Sequence, residues 1–200
     1  MRANRWMRDL LAEADLTGLS PADVPPGFRD VVAGGWSVTA SGARVLTALH
    51  AGPGGAFFDR LAEETTVNGR GMTDHDLPAG ADTGDGTGDG PGTGDGGAVG
   101  AAVGAAVRAH TLLRRCLAYA AGCLRAAEET FGDDAVRAYV VLSPDGTDDG
   151  LLTATVTFCT PLPDVPPYIA DLEEAQDAAV AEISVRDRPG PAPDARSCAA

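Results

Sequence analysis

The stretch VGAAVRAHTLLRRCLAYAAGCLRAAEETF, residues 103–131, decides the fold. Its apolar and small residues recur at alternating intervals of three and four, the period of a helix packed along its length. The positions on this stripe are Val103, Ala106, His110, Leu113, Leu117, Ala120, Leu124, Ala127 and Phe131. Arg108, Arg115 and Arg125 fall on the opposite side, so the local positive charge needs no ligand to explain it. The pattern predicts one long, deeply packed helix.

Two runs typical of β-strands follow this helix, at residues 137–143 and 151–159. In the second run the even-numbered residues from Leu152 to Phe158 are apolar, and the residues between them are threonines, the period-two pattern of a half-buried strand. Turn-forming residues separate the runs, so they predict an antiparallel hairpin. Prolines at 161–167 predict an extended crossing, and the apolar spacing from Ile169 to Ile183 then predicts a C-terminal helix.

The segment before the long helix predicts a series of short helices. Residues 3–14 form an amphipathic pattern with Trp6 and Met7 on its apolar stripe, and further short helices are expected near 20–23, 28–33, 41–50 and 56–65. A two-stranded hairpin alone is marginally stable in water, so we expect another element to cover it. This element is a third strand, a partner from the segment before the long helix, or a second subunit. The candidate third strands are residues 36–39, 65–67 and 183–185. The expected fold is α+β and helix-rich, with the long helix, hairpin, C-terminal helix and short N-terminal helices on one core.

A low-complexity run at residues 78–97 divides the chain. It contains Thr-Gly-Asp-Gly three times and no large apolar side chain. Ordering it would cost backbone entropy that no buried surface could offset. We therefore predict a single domain over residues 1–188, interrupted by a disordered insertion at 78–97 and followed by a disordered tail at 189–200.

The charge distribution limits the partners of this chain. The net charge is −14, with −11 on residues 128–200, +4 on 98–127, and no Lys anywhere. Such a balance opposes nucleic-acid binding and permits attraction of a basic protein. Arginines and a histidine interrupt the most apolar segment, 98–124, and no secretion signal is recognisable, so we expect a cytoplasmic protein with reduced cysteines and no membrane contact.

The candidate polar site consists of Asp74, His75 and Asp76, in one loop, together with His110 on the long helix. A histidine beside carboxylates can act as a base or a metal ligand. However, adjacent side chains of an extended segment point to opposite faces, so a solvated loop explains the first three residues as well. His110 lies on the helix seam, where a hydrogen-bonded interface histidine is the alternative.

Other motifs fail on the residues they require. The esterase-like run from Gly35 has Thr39 in place of the second glycine, and the glycines at 52–55 lack the lysine and the preceding strand of a nucleotide loop. The aspartate-rich turns lack the spacing and the closing glutamate of calcium loops. We therefore predict no catalytic residue, no metal and no cofactor.

Two classes of function remain open. The first is a small acidic cytoplasmic, non-catalytic protein-protein interaction protein, of immunity or accessory type, which binds a basic protein partner or associates with its own copy. The second is a small-ligand-binding protein or enzyme with a pocket between the long helix and the hairpin.

Overall fold

The computed structural model describes residues 1–50, 57–73, 96–144 and 152–187, with the side chains of all of these except 96–102. Its helices are α1 (Arg5–Glu13), α2 (Pro26–Gly34), α3 (Arg60–Val67) and α4 (Gly96–Phe131). Its strands are β1 (Arg2–Ala3), β2 (Trp36–Val38), β3 (Arg44–Leu46), β4 (Arg70–Thr73), β5 (Arg137–Pro144), β6 (Leu152–Cys159) and β7 (Ala179–Ser184). Short 3-10 turns lie at Pro21–Asp23, Leu172–Glu174 and Val185–Asp187. Helices and antiparallel sheets together confirm the α+β class.

Five strands form one antiparallel sheet in the order β1-β7-β5-β6-β4. The β5–β6 hairpin pairs from Arg137 opposite Cys159 to Pro144 opposite Leu152. β7 pairs with the free edge of β5, and β4 pairs with the free edge of β6. The hairpin thus gains the additional strands that its stability requires. β2 and β3 form a separate two-stranded sheet, with Trp36 opposite Leu46.

One face of the large sheet is covered by α4 and α1. The apolar side chains that the three central strands place on this face are at most 4% exposed: Ala138, Val140, Leu142, Ala154, Val156, Phe158, Ala179, Ala181 and Ile183. The expected seam of α4 is buried from Leu113 to Ala127. Val103 and Val107 are 59% and 53% exposed, so the first described turns of α4 extend past the core.

The segment before α4 and the segment after it contribute to the same hydrophobic cluster. The ring of Trp36 packs edge-to-face on Phe131 and Phe158, with centroid distances of 6.1 and 5.7 Å. Its Nε1 donates a 2.9 Å hydrogen bond to the carbonyl of Cys123, in the middle of α4. A buried indole needs such a partner, so this bond fixes where the β2–β3 sheet meets the helix.

Arg114 of α4 organises the loop between α1 and α2. Its Nε and one terminal nitrogen donate to both oxygens of the Asp23 carboxylate at 2.8 and 3.2 Å. The terminal nitrogens also donate to the carbonyls of Asp15, Thr17 and Gly18 at 2.9 to 3.1 Å. The hydrogen bond from Arg114 holds the pKa of Asp23 below its usual value. The guanidinium therefore serves as a structural clamp on this loop.

The predicted C-terminal helix is wrong. Residues 169–183 contain only the turn Leu172–Glu174 and then β7, which pairs with β5 from Ala179 opposite Leu142. Ala179, Ala181 and Ile183 are buried on the face covered by α4 and α1. Ala179 and Ile183 belong to the predicted helical stripe, but because they are four apart they also fit one face of a strand. Hydrogen bonding with the otherwise unpaired edge of β5 decides in favour of the strand.

Two predictions in the front part are also wrong. Residues 41–50 form no helix, because Gly42, with φ of +82°, turns the chain and β3 pairs with β2. Residues 65–67 lie at the end of α3 instead of forming a strand. The helix α4 begins at Gly96, within the last two residues of the predicted insertion at 78–97. The rest of that insertion and the tail at 189–200 lie outside the described residues, and their disorder remains a prediction.

Candidate functional site

The structure describes only one member of the predicted polar site. His110 lies on α4 with its Nε2 atom 3.9 Å from a carboxylate oxygen of Glu13 in α1, too far for a hydrogen bond. No described residue pairs with this nitrogen. Asp74, His75 and Asp76 lie outside the described residues, so their grouping with His110 remains a prediction. Neither His110 nor Glu13 lines the cavities described below.

A buried carboxylate in α3 is fully used by the fold. Glu64 is 0% exposed. Its oxygens accept hydrogen bonds from the backbone N–H of Arg44 at 2.9 Å, the Nε of Arg60 at 2.8 Å and the backbone N–H of Thr160 at 2.5 Å. Arg44 belongs to β3 and Thr160 follows β6, so Glu64 joins β3 to the residue after β6. Both oxygens of this fully buried carboxylate are engaged in hydrogen bonds that connect elements of the fold, so we assign Glu64 a structural role.

Asn68 makes a similar connection one turn later. Its Oδ1 accepts from the backbone N–H of Leu46 at 2.8 Å, and its Nδ2 donates to the carbonyls of Arg44 and Phe158 at 2.9 and 3.1 Å. The side chain is 0% exposed. Because every strong partner is a backbone group, its role is to hold the small sheet against β6.

The three described cysteines are unsuited to nucleophilic chemistry. Cys116, Cys123 and Cys159 are free thiols at most 2% exposed. Burial raises the pKa of each thiol to about 12, because the charged thiolate loses its hydration. The reactive form of a cysteine is the thiolate, so these thiols are inert at neutral pH.

The space between α4 and the hairpin, where the small-ligand hypothesis placed a pocket, is filled by the side chains of the core. A groove of about 260 Å³ lies elsewhere on α4, against the loop before α2. Its floor is made of small residues that include Ala118, Ala121 and Gly122, and Arg125 and Glu129 stand at its rim. The Ser20 hydroxyl also lines the groove, but it is engaged with the Asp23 carboxylate and the backbone N–H of Ala22 as a helix cap, and no histidine lines the groove, so the groove shows no catalytic arrangement.

The connection between β6 and β7 forms a distinct surface. Both strands are antiparallel to β5, which lies between them, so they are parallel to each other. The chain must therefore cross from the end of β6 to the opposite end of the sheet before β7 can begin. Tyr168 stacks edge-on against Tyr139, at a centroid distance of 5.1 Å. Tyr139 alternates with Ala138 and Val140 of the core face, so the connection crosses the opposite face.

We call residues 161–177 of this connection the acidic strap. It carries five exposed acidic side chains, Asp164, Asp171, Glu173, Glu174 and Asp177. No Lys or Arg occurs anywhere between residues 138 and 185. The one described ion pair from the strap joins Glu173 to Arg8 of α1 at 3.0 Å. The strap therefore presents a net negative surface, on which Arg8 compensates one of the five charges.

The strap is held in place at its C-terminal end by the start of α1. Asn4 is 2% exposed, and its Nδ2 donates to the carbonyls of Ala175 and Ala178 at 3.1 and 2.7 Å. Its Oδ1 accepts from the N–H of Met7, which caps α1, and from the N–H of Val180, both at 3.0 Å. One amide thus connects helix, strap and strand, so the acidic side chains project from a fixed backbone.

Comparisons with known proteins add no assignment. No protein-family model, curated protein or solved structure matches this chain. Within the described residues, no group of three His, Cys, Asp or Glu side chains is arranged to hold a metal ion. In the same part of the chain, no helix combines the length and apolar character needed to cross a membrane.

Two aromatic side chains beside the strap were missed by sequence reasoning. Trp6 was expected on the buried stripe of α1, but it is 40% exposed, whereas Met7 next to it is 0% exposed. Tyr168 is 42% exposed. The available signal for Tyr168 was its position after Pro166 and Pro167, which exclude a helix there. No signal separates Trp6 from Met7, because both fit the same helical stripe.

Proposed function

We propose that this chain is a non-catalytic protein-binding module that takes a basic protein on its acidic strap. The observation that carries the proposal is the set of five exposed carboxylates on a strap with no cation in the surrounding sequence from 138 to 185. A surface of one sign raises the rate at which an oppositely charged protein associates. The same surface repels the phosphate backbone of nucleic acids.

The fixed backbone of the strap supports this proposal. Leu172 is 4% exposed, Tyr168 rests against Tyr139, and Asn4 donates to the carbonyl of Ala175 in the strap and to that of Ala178 directly after it. A surface that is ordered before binding loses less conformational entropy when the partner arrives. Tyr168 also offers exposed aromatic area, a residue type enriched at protein interfaces.

The test compares two variants that change the net charge equally. The strap variant carries Asp164→Asn, Glu174→Gln and Asp177→Asn, whose carboxylates have no described partner. The control carries Glu13→Gln, Asp30→Asn and Glu129→Gln, which are exposed acids elsewhere on the surface. Calorimetry measures the affinity of each for a short oligoarginine peptide at low salt, and ¹⁵N chemical shifts map the site on the wild type.

We expect the strap variant to weaken binding by roughly three- to 150-fold, because each of the three removed charge pairs contributes about 0.2 to 1 kcal/mol and about 1.4 kcal/mol corresponds to a tenfold change. The control should change affinity by less than about twofold, since screening limits the effect of distant charges. Equal losses in the two variants would show that total charge, and not the strap, attracts the peptide, and would refute the proposal.

Self-association of this chain is a second form of the proposal, favoured by one observation. Val103 and Val107 form an exposed apolar pair on the described part of α4 beyond the core. A second copy would cover them. Sedimentation of the wild type and of Val103→Ser with Val107→Ser tests this: a dimer that the variant abolishes supports it, and a wild-type monomer across the concentration range refutes it.

A further inference from the structure

A cleft of about 460 Å³ lies where the start of α1 meets the C-terminal end of the acidic strap. From α1 it is lined by Arg5, Trp6 and Asp9, and from the strap by Glu173 and Gln176. With Asn4, which also lines it, the cleft combines one aromatic ring, two carboxylates, two amides and one arginine in a concave site beside a negative surface. Ligand sites in proteins are commonly concave and apolar with a few polar groups at fixed positions.

The aromatic wall is Trp6, whose indole is 40% exposed although a neighbouring residue of the same helix is fully buried. None of the described rings or guanidinium groups stacks on it. The face of an indole carries partial negative charge and attracts cations more strongly than the other aromatic side chains do. The ring is thus an unoccupied cation-binding surface within the described part of the chain.

The two carboxylates have different roles. Asp9 makes no hydrogen bond or ion pair with any described residue, so both of its oxygens are available to a ligand. Glu173 is held: one oxygen accepts from the backbone N–H of Arg5 at 3.1 Å, and the other lies 3.0 Å from a guanidinium nitrogen of Arg8. Glu173 therefore fixes the wall of the cleft while Asp9 supplies the free negative charge.

The arginines near the cleft do not reverse its sign. Arg5 and Arg8 contribute two positive charges. Against them stand Asp9 and four acids of the strap, Asp171, Glu173, Glu174 and Asp177. The local field thus favours a cation, and a ligand cation would lie between the indole and the Asp9 carboxylate.

We propose that this cleft takes one arginine side chain of the basic partner, with its guanidinium stacked on Trp6 and paired with Asp9. The inference rests on the proposed function of the strap and names the anchor within it. Arginine fits better than lysine because its planar guanidinium stacks on an aromatic ring and donates two parallel hydrogen bonds to one carboxylate. A buried arginine or aromatic anchor commonly carries a large share of the binding energy of an interface.

The walls of the cleft are positioned before any ligand binds. Asn4, at the base, joins the first turn of α1 to the strap through hydrogen bonds of 2.7 to 3.1 Å. The cleft consequently needs no rearrangement to accept a side chain.

The experiment uses the full chain and two peptides of equal length, oligoarginine and oligolysine. The variants are Trp6→Ala, Trp6→Phe and Asp9→Asn, with Asp30→Asn as a control of equal charge on α2. Calorimetry gives the affinities. The intrinsic fluorescence of Trp6, obtained by subtracting the spectrum of Trp6→Phe, reports whether the peptide contacts the indole, because Trp36 is only 7% exposed.

We expect oligoarginine to change the emission of Trp6, and Trp6→Ala or Asp9→Asn each to weaken binding by about two- to five-fold. Asp30→Asn should bind like the wild type, and oligolysine should bind more weakly with a smaller response of Trp6. If the cleft variants bind like the wild type while the strap variant loses affinity, the anchor is refuted and the proposed function stands. If the two peptides bind equally with the same fluorescence change, the choice of arginine is refuted. If the wild type binds neither peptide, both proposals fail.

Discussion

Replacing Glu64 by glutamine tests whether one buried carboxylate joins the two sheets. The carboxylate accepts three hydrogen bonds on its two oxygens, from Arg44, Arg60 and Thr160. A glutamine keeps the volume but turns one acceptor into a donor, so at least one buried N–H then faces another N–H. A hydrogen bond to a charged group contributes about 1.5 to 3 kcal/mol, and an unsatisfied buried donor costs about 1 to 3 kcal/mol. We expect Glu64→Gln to lower the free energy of unfolding by about 3 kcal/mol.

The neighbouring residue supplies a matched control. Glu63 is 7% exposed and accepts a hydrogen bond from the hydroxyl of Ser41, which a glutamine oxygen can also accept. Glu63→Gln should therefore cost less than about 1 kcal/mol. Urea unfolding followed by circular dichroism gives the free energy of unfolding of both variants. The free energies can be compared if their slopes against urea concentration are equal in the two variants. A difference of less than about 0.5 kcal/mol between the two variants would refute the role assigned to Glu64.

Three further predictions follow from single contacts. The first concerns Asp133: hydrogen bonds from Arg44 lower the pKa of its carboxyl group to about 2. The stability that this carboxylate contributes should be fully present above its unfolded pKa of about 4 and should be lost as the pH falls toward 2. Because the Asp133 side chain is 41% exposed, Asp133→Asn should lower the free energy of unfolding by at most about 1 kcal/mol at neutral pH. The variant should also lose less stability than the wild type as the pH falls from about 4 to about 2, and an equal loss in both proteins would contradict the prediction. In a Cys198→Ser variant, the three remaining thiols should react with a disulfide reagent only after unfolding in urea; fast reaction of the native protein would show that they are accessible. Gly104→Ala should stabilise the protein by up to about 1 kcal/mol, because the new Cβ meets only Arg108, at 3.7 Å. Gly122→Ala should be less stabilising, because its Cβ would lie 3.1 Å from Val32. Thermal unfolding of both variants measures the difference.

The elements predicted correctly are those in which the spacing of apolar residues fits either a helix or a strand but not both. The seam of α4 repeats over four turns from Leu113 to Ala127, and a strand cannot bury such spacing. The threonine alternation in β6 likewise excludes a helix. Residues 179–183 were different, because Ala179 and Ile183, which are four apart, share one side of a helix as well as one face of a strand. Only the long-range pairing with β5 decides between these possibilities, and local patterns do not contain it.

The candidate site was less accessible to sequence reasoning for a related reason. Four of the five acids of the strap lie within the predicted C-terminal helix of residues 169–183, and only Asp164 lies in the predicted extended crossing. The positions of Asn4 and Trp6 beside the strap depend on a contact across more than 160 residues of chain. A backbone clamp such as Asn4 also has no recognisable motif, since its partners are carbonyl and N–H groups that every residue possesses.

The extended path of the strap determines which partners it can recognise. It runs from the end of β6, beside Arg137, to the start of β7, beside Leu142, which are five residues apart on β5. At about 3.4 Å per residue, the strap spans roughly 17 Å of the sheet. A single metal ion reaches ligands only within about 2.6 Å, so it cannot neutralise carboxylates spread over that length. The basic partner that we propose would instead offer several cations at comparable spacing on one surface, as a folded basic protein or an arginine-rich segment does. The span of the strap, more than its total charge, is therefore the property that favours a macromolecular partner.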